Sequence, residues 1–427
     1  MPYDEFKAAF QKAVKQAQAI RSPGNSYHQW QFRVDATIFN QCLRNMFCQH
    51  IQIIAFASFF LDRAVLLYTY AMESDPFVIG LTGNIASGKS VVLQYLANLG
   101  ALAIDADQVA QETYLPGNPA YGPILERFGS DLKFNDGQIN RSKLGRIVFR
   151  DPAALSALEA IIHPLVTQKI LELKDSTDRA VVAIEAIKLF EAGIDKHCDT
   201  RWAIAANDNL RLERLMEDRG LDEAAALQRI KAQSPQSDKI RLADQVIYTD
   251  VNFTHTYNQV FEQFSALGLS ALEVLSADGE IRLSPLNPKD FGTASGFMEE
   301  KTEQTWEYED LYRLLGQRTV VAFYHGEELL QLMIFRIEQG MAVHLAHAPF
   351  RSELLPSKVS FPLLKKYLAG LIDMLIVTKE FLSPEEAKLL GFTYGDDQPP
   401  VHPMVYHNFL RKHGLMPGEV YFSKIQG

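Results

Sequence analysis

Short apolar runs recur through the middle of the chain, at 77–81, 101–104, 180–184, 202–206 and 245–248, separated by longer amphipathic stretches. Those stretches, at 91–99, 153–174, 209–219 and 222–231, carry helix-like spacing of apolar positions. Apolar strands alternating with helices predict a parallel sheet covered on both faces, because each crossover helix lays its own apolar stripe on the sheet. Around 276–296 the texture loosens into Ser, Pro, Asn, Asp and Gly, which reads as a linker and an irregular entry to the next domain, the linker being set at 271–280. A third region, 281–427, then shows strand-like runs at 319–324, 330–337, 342–347 and 374–378, with helices expected at 361–371 and 384–390. The fold class read from this pattern is α/β: a doubly wound parallel sheet followed by a smaller α+β domain.

Residues 1–71 differ from both, being rich in Gln, Phe and Cys without clean periodicity. The stretch 51–71 is apolar and about as long as a membrane span, yet Asp62 and Arg63 sit in its middle. Buried charges there are costly, so a packed helix or a segment without defined structure is expected instead. The run Met72-Glu73-Ser74-Asp75-Pro76 leads directly into the first strand. Either Met72 is the natural start, or 1–71 is an appended extension without catalytic importance.

Composition narrows the class. A chain of 427 residues, 47% hydrophobic and 22% charged, holds two or three globular domains. Its net charge of −10 argues against a generic nucleic-acid binder, which needs a basic face. Cys42, Cys48 and Cys198 are too few and too scattered for a disulfide framework or a zinc site. No basic-then-apolar opening marks a secretory signal, and a reducing cytoplasm is the expected compartment. None of this specifies an oligomeric state.

The strongest chemical signal is Gly83-Asn84-Ile85-Ala86-Ser87-Gly88-Lys89-Ser90, set between an apolar strand and an amphipathic helix. Gly83 and Gly88 let the backbone curl so that successive N–H groups face one oxyanion. The helix beginning near Ser90 aims its positive end at the same point. Lys89 supplies a cation for the β- and γ-phosphates of ATP, and the Ser90 hydroxyl is a Mg²⁺ ligand. Gly83, Ala86, Ser87, Gly88, Lys89, Ser90 and Val91 form the expected nucleotide-binding set. A GTPase would need an Asn-Lys-x-Asp element, whereas Asn207-Asp208-Asn209 lacks the lysine. The second strand ends in Ile104-Asp105-Ala106-Asp107, where strand ends line the ligand crevice. Asp105 suits a helix cap. Asp107 suits a catalytic role, accepting the proton of an attacking hydroxyl or helping to hold Mg²⁺.

From Val78 to about Phe264 the chain resembles the dephospho-CoA kinases. The likeness rests on Ile79-Gly-Leu-Thr-Gly83, the phosphate loop, Leu99-Gly100-Ala101 and Ile104-Asp-Ala-Asp107. It continues through Pro116-Gly117-x-Pro119-Ala120-Tyr121, Phe128-Gly129, Asp136-Gly137-x-Ile139-Asn140-Arg141, Leu158-Glu159, His163-Pro164, Leu189-Phe190-Glu191-Ala192-Gly193, Gln233 and Ala243-Asp244-x-Val246-Ile247. The resemblance implies phosphorylation of the ribose 3′-hydroxyl of dephospho-CoA by ATP, with Asp107 as general base and a lid over 211–233. Arg211, Arg214 and Arg219 lie in that segment, and a planar guanidinium suits charge developing on a transferred phosphoryl group. Arg211 is equally readable as a solvated helix charge. Arg141 and His163 are candidate substrate contacts, His163 being equally readable as a cap beside Pro164. The chain departs from the family pattern at Asn84, where a left-handed backbone, which Asn tolerates, is expected, at Ala86 and Val91, and at Ile187-Lys188-Leu189-Phe190-Glu191. There Lys188 is an unusual charge.

Residues 281–427 resemble, more weakly, acyl-CoA N-acetyltransferases of the GNAT type, through Ile281-Arg-Leu-Ser-Pro-x-x-Pro-x-Asp290, the turn at His325-Gly326-Glu327, and Ala387-Lys-Leu-Leu-Gly391-Phe392. That family holds the acyl-CoA pyrophosphate on a glycine-rich loop at a helix N-terminus. The corresponding stretch, 349–361, has no glycine, so a degenerate module is expected. His344, His347 and His402 do not make a metal site by spacing. The expected function is thus a dephospho-CoA kinase. Its alternative is a regulatory nucleotide and acyl-CoA sensor with an inactive kinase domain, which the intact Lys89, Ser90 and Asp107 disfavour.

Overall fold

The computed structural model describes residues 75–425, apart from 135, 270, 339–340, 350–354, 370, 395–398 and 400–402. The expectations for residues 1–71, including the apolar stretch 51–71, and for His402 lie outside the described residues. Among the described residues, no helix is long and apolar enough to cross a membrane.

The first sheet has the order β2-β3-β1-β4-β5, and every neighbouring pair is parallel. Its strands are β1 (Phe77–Thr82), β2 (Leu102–Asp105), β3 (Val181–Glu185), β4 (Thr200–Ala205) and β5 (Gln245–Tyr248). The connecting helices are α1 (Lys89–Asn98), α2 (Ala106–Thr113), α3 (Tyr121–Phe128), α4 (Arg141–Val148) and α5 (Pro152–Asp175), then α6 (Asp208–Glu217), α7 (Glu223–Lys231), α8 (Gln236–Leu242) and α9 (Phe253–Ser265). Local chemistry fixes the starts of several. Asp105, Asn140, Asp151, Asn207, Asp222 and Asn252 each cap a helix by accepting backbone N–H groups. Pro152 occupies the first turn of α5, where its missing N–H costs nothing. His163 stands in the middle of α5, not at its end. The cap reading for it is therefore wrong: the helix runs through Pro164 and terminates only at Ser176.

The second sheet is mixed, in the order β12-β13-β11-β10-β9-β8-β7-β6. It comprises β6 (Val274–Leu275), β7 (Ile281–Pro285), β8 (Thr319–His325), β9 (Glu328–Glu338), β10 (Met341–Pro349), β11 (Met374–Thr378), β12 (Thr393–Tyr394) and β13 (Val420–Lys424). Only β10 and β11 run parallel, joined by a crossover through α12 (Ser357–Leu368). Helices α10 (Phe291–Thr302), α11 (Tyr308–Leu315), α13 (Pro384–Leu389) and α14 (Pro403–Lys412) complete this part. The stretch read as a linker, 271–280, instead carries β6, hydrogen-bonded to β7 as the edge of this sheet. Its polar residues belong to a hairpin turn, Ser276–Gly279.

The two sheets share one hydrophobic core. Ile79, Val92, Tyr95 and Leu96 pack in the same cluster as Phe291, Leu311, Leu315, Val320 and Leu332. Helix α1 lies at the centre of this seam. Gly316 is required there: a Cβ on it would stand 2.9 Å from Val91 Cγ1 and 3.2 Å from the Tyr95 hydroxyl. Rings of Tyr95, Tyr257, Phe291 and Tyr312 meet at 5.0–5.7 Å between centroids. Asn98 sends Nδ2 to the carbonyls of Leu315 and Arg318 and accepts the Val320 N–H. On the other side, the buried Arg179 donates to Gly100 O and Tyr367 O and stacks 4.4 Å above the Tyr367 ring.

Candidate active site

The phosphate loop leaves β1, the central strand of the first sheet, at its C-terminal end. Gly83 admits no side chain, since a Cβ would lie 2.4 Å from Ile204 O and 2.6 Å from Ser87 Oγ. The left-handed residues are Ala86 (φ 61°) and Gly88 (φ 87°). Asn84 is not among them, correcting the expectation for that position. Its side chain is buried and donates 2.9 Å to Ser234 O, an anchor that sets the backbone without a positive φ.

The loop's carbonyls are tied outward. Arg211 Nε donates to Ile85 O (2.9 Å), Arg214 Nη1 to Ala86 O (3.1 Å), and the Thr249 hydroxyl to Ser87 O (2.9 Å). Arg214 also grips Thr249 through its hydroxyl and carbonyl. Anchored carbonyls leave the loop's free N–H groups to face its interior, the arrangement that cradles an oxyanion. Arg211 is nearly fully buried and paired with Asp208 at 2.7 Å, and so is no solvated helix charge. Arg219 lies exposed just past α6, close enough for its charge to act on Lys89. Val91 sends its side chain toward Gly316 in the seam, while its N–H donates to Gly88 O.

Strand ends bring the charged groups together. Asp105 and Glu185 are register partners at the ends of β2 and β3. Lys89, buried in the first turn of α1, lies 3.9 Å from Glu185 Oε1 and donates 3.3 Å to Asn84 O. Its pKa is lowered by burial, opposed by Glu185 and Asp107. Glu185 is pushed up to about 7 by burial, against the pull of Lys89 and the Ser90 hydroxyl. Asp105 caps α2, accepting from the N–H groups of Asp107 (2.9 Å) and Gln108 (3.1 Å). Asp107, in the first turn of α2, is exposed, and its charge couples to those of Asp105 and Lys89. Desolvation by the walls and the charge of Asp105 raise its pKa, while Lys89 lowers it.

On the acceptor side, Arg141 opens α4 as an exposed residue and His163 is half-buried on α5. Lys188, unexplained by pattern, pairs with Glu159 of α5. Sequence reasoning missed Glu185 and Thr249. A carboxylate ending an apolar strand, in Val181–Glu185, was a usable signal for the first. The second acts from a position far along the chain and gave none.

A family model for dephospho-CoA kinase matches residues 77–255. The dephospho-CoA kinase of Moorella thermoacetica is 45% identical over 177 residues, covering 40% of this chain and 84% of that protein. The chain belongs to the dephospho-CoA kinase family. The Carboxydothermus hydrogenoformans dephospho-CoA kinase is 39% identical over 186 residues, covering 43% of this chain and 90% of that protein. For the C-terminal part, a solved structure of the Escherichia coli ribosomal-protein-S18-alanine N-acetyltransferase aligns with a TM-score of 0.24 at 12% identity. That alignment covers 34% of this chain and 95% of that one. Family membership accounts for the first region; the second sheet is an addition to it.

Proposed function

We propose that this protein transfers the γ-phosphoryl group of ATP to the ribose 3′-hydroxyl of dephospho-CoA, giving coenzyme A and ADP. The observation that carries this reading is the meeting of Lys89, Asp107 and Glu185 beside the phosphate loop in a chain so similar to dephospho-CoA kinases. The loop N–H groups and Lys89 hold the β- and γ-phosphates. Asp107, exposed and raised in pKa, takes the proton of the attacking hydroxyl. Arg219 faces the charge that develops on the transferred group, while Arg211 and Arg214 act by fixing the loop. Arg141 and His163 line the acceptor side. Mg²⁺ fits this site: among the described residues Glu185 Oε2 and Ser87 Oγ are buried without a hydrogen-bond partner, and Ser90 stands beside Glu185. Ser90 and Glu185 would hold the ion, which when bound neutralises phosphate charge. We assign 72–270 to the kinase and 274–427, with β6 at its edge, to a degenerate GNAT-like module, and place the reaction in the cytoplasm, which suits the scattered cysteines.

The test is purified protein with ATP, Mg²⁺ and dephospho-CoA, following 3′-phosphorylated product by mass. Tight ATP binding without product would exclude the kinase reading.

A further inference from the structure

Lys239 on α8 is a buried lysine that no motif singled out. Its ammonium donates to Ile187 O and lies 3.4 Å from Thr82 Oγ1, and Thr82 Oγ1 itself donates 3.2 Å to Ile187 O. Burial lowers its pKa, and the charges of Lys89 and Lys188 act in the same direction, with Glu191 opposing. A cation placed there is costly, and an apolar side chain would fill the space at lower cost. What the ammonium supplies is connection. Thr82 ends β1 and directly precedes Gly83; Ile187 lies in the loop after β3, two residues past Glu185. The next residue, Lys188, is bound to Glu159 on the acceptor-side helix α5.

The residues just before Lys239 hold the other side of the same loop. Gln233 Oε1 accepts the Ile85 N–H at 2.7 Å, and Ser234 O accepts from Asn84 Nδ2 at 2.9 Å. Gln236 exchanges hydrogen bonds with both backbone groups of Ala206 at the end of β4. One segment, 233–239, therefore touches the nucleotide loop, its root at Thr82, the end of β4 and the loop toward the acceptor helices. It follows directly on α7 of the expected lid.

We propose that Lys239 is a positioning residue for phosphoryl transfer: it fixes Thr82 and Ile187 in register and so sets the spacing between the phosphate loop and the acceptor side. The proposal rests on the kinase reading. In-line transfer tolerates little misplacement, and an error of about 1 Å costs on the order of 10²-fold in rate. Hydrolysis of ATP by water needs no aligned acceptor, so loss of register should lower coupling more than nucleotide handling.

The experiment measures 3′-phosphorylated product and ADP together for wild type, Lys239→Met, Lys239→Arg and Thr82→Val, with the melting temperature of each. Lys239→Met is expected to lower the transfer rate roughly 10–100-fold, keep the ATP KM within about threefold, and reduce product formed per ADP. Lys239→Arg should restore part of the coupling through its retained donors. A Lys239→Met enzyme with wild-type rate and coupling overturns the proposal. So does one that loses turnover and ATP affinity together at unchanged coupling. Should Lys239→Met fail to fold, Thr82→Val decides: lowered coupling at an unchanged melting temperature supports the proposal, and wild-type coupling overturns it. A wild type that makes no product overturns the kinase reading and this proposal together, whereas coupled wild type and coupled variants overturn this proposal alone.

Discussion

Replacing Asn98 with leucine removes three hydrogen bonds across the seam at once: to Leu315 O (2.6 Å), to Arg318 O (2.8 Å) and from Val320 N (2.8 Å). Leucine nearly matches asparagine in shape, so the perturbation is the loss of polar partners and leaves no large cavity. An unsatisfied buried backbone group costs about 1–3 kcal/mol. Val320 N–H and Leu315 O are both enclosed, while Arg318 O lies in the turn after α11, where water reaches more easily. The expected loss is therefore about 3–4 kcal/mol, a large share of a total stability of roughly 5–15 kcal/mol. Urea unfolding at fixed pH measures it through the midpoint and slope, with Gln94→Leu as the control. Gln94 makes one longer bond, 3.3 Å to Thr319 Oγ1, and its loss should cost under about 1 kcal/mol. Because the core is continuous across the seam, wild type should unfold in one transition. An Asn98→Leu protein no less stable than the Gln94→Leu control would refute the argument, as would separate transitions for the two sheets in the wild type.

Three other outcomes follow from the active site. Asp107→Asn should reduce turnover on the order of 10²–10⁴-fold with little change in ATP KM, measured by steady-state kinetics; equal losses in both would assign Asp107 to phosphate or metal holding. Glu185, raised from its ordinary 4.5 to about 7, keeps a proton in the native protein that the unfolded chain releases. Stability without nucleotide should thus fall as pH rises through 4.5 to 7, and Glu185→Gln should flatten that slope and melt higher at pH 8. Parallel pH–melting curves for the two proteins would contradict this. At Ala86, held at φ 61°, glycine should be near neutral, whereas valine, whose β-branch resists that conformation, should weaken ATP binding roughly tenfold. Calorimetry with a non-hydrolysable ATP analogue checks it, and wild-type affinity in Ala86→Val would count against the strain.

The sequence alone determined the first sheet, its phosphate loop and the Asp105–Asp107 turn, because each is written locally. Apolar runs of strand length, helix caps such as Asp105 and Asp151, and the Gly83–Ser90 spacing each act over a few residues. The reading failed where long-range contacts decide. The stretch 271–280 reads as a linker, yet pairing with β7 makes part of it a strand. Asn84 reads as a left-handed residue, yet a hydrogen bond to Ser234, 150 positions away, sets its backbone and Ala86 takes the positive φ. Arg211 and Arg214 read as lid charges, and only tertiary structure shows them gripping the phosphate loop's carbonyls. The seam was invisible for the same reason. Val91 and Tyr95 show an apolar face on α1 but not what covers it, and the covering residues, Gly316 and Tyr312, lie over 200 positions along the chain. Periodicity records that a face is buried; which surface buries it is decided by packing once the chain has folded.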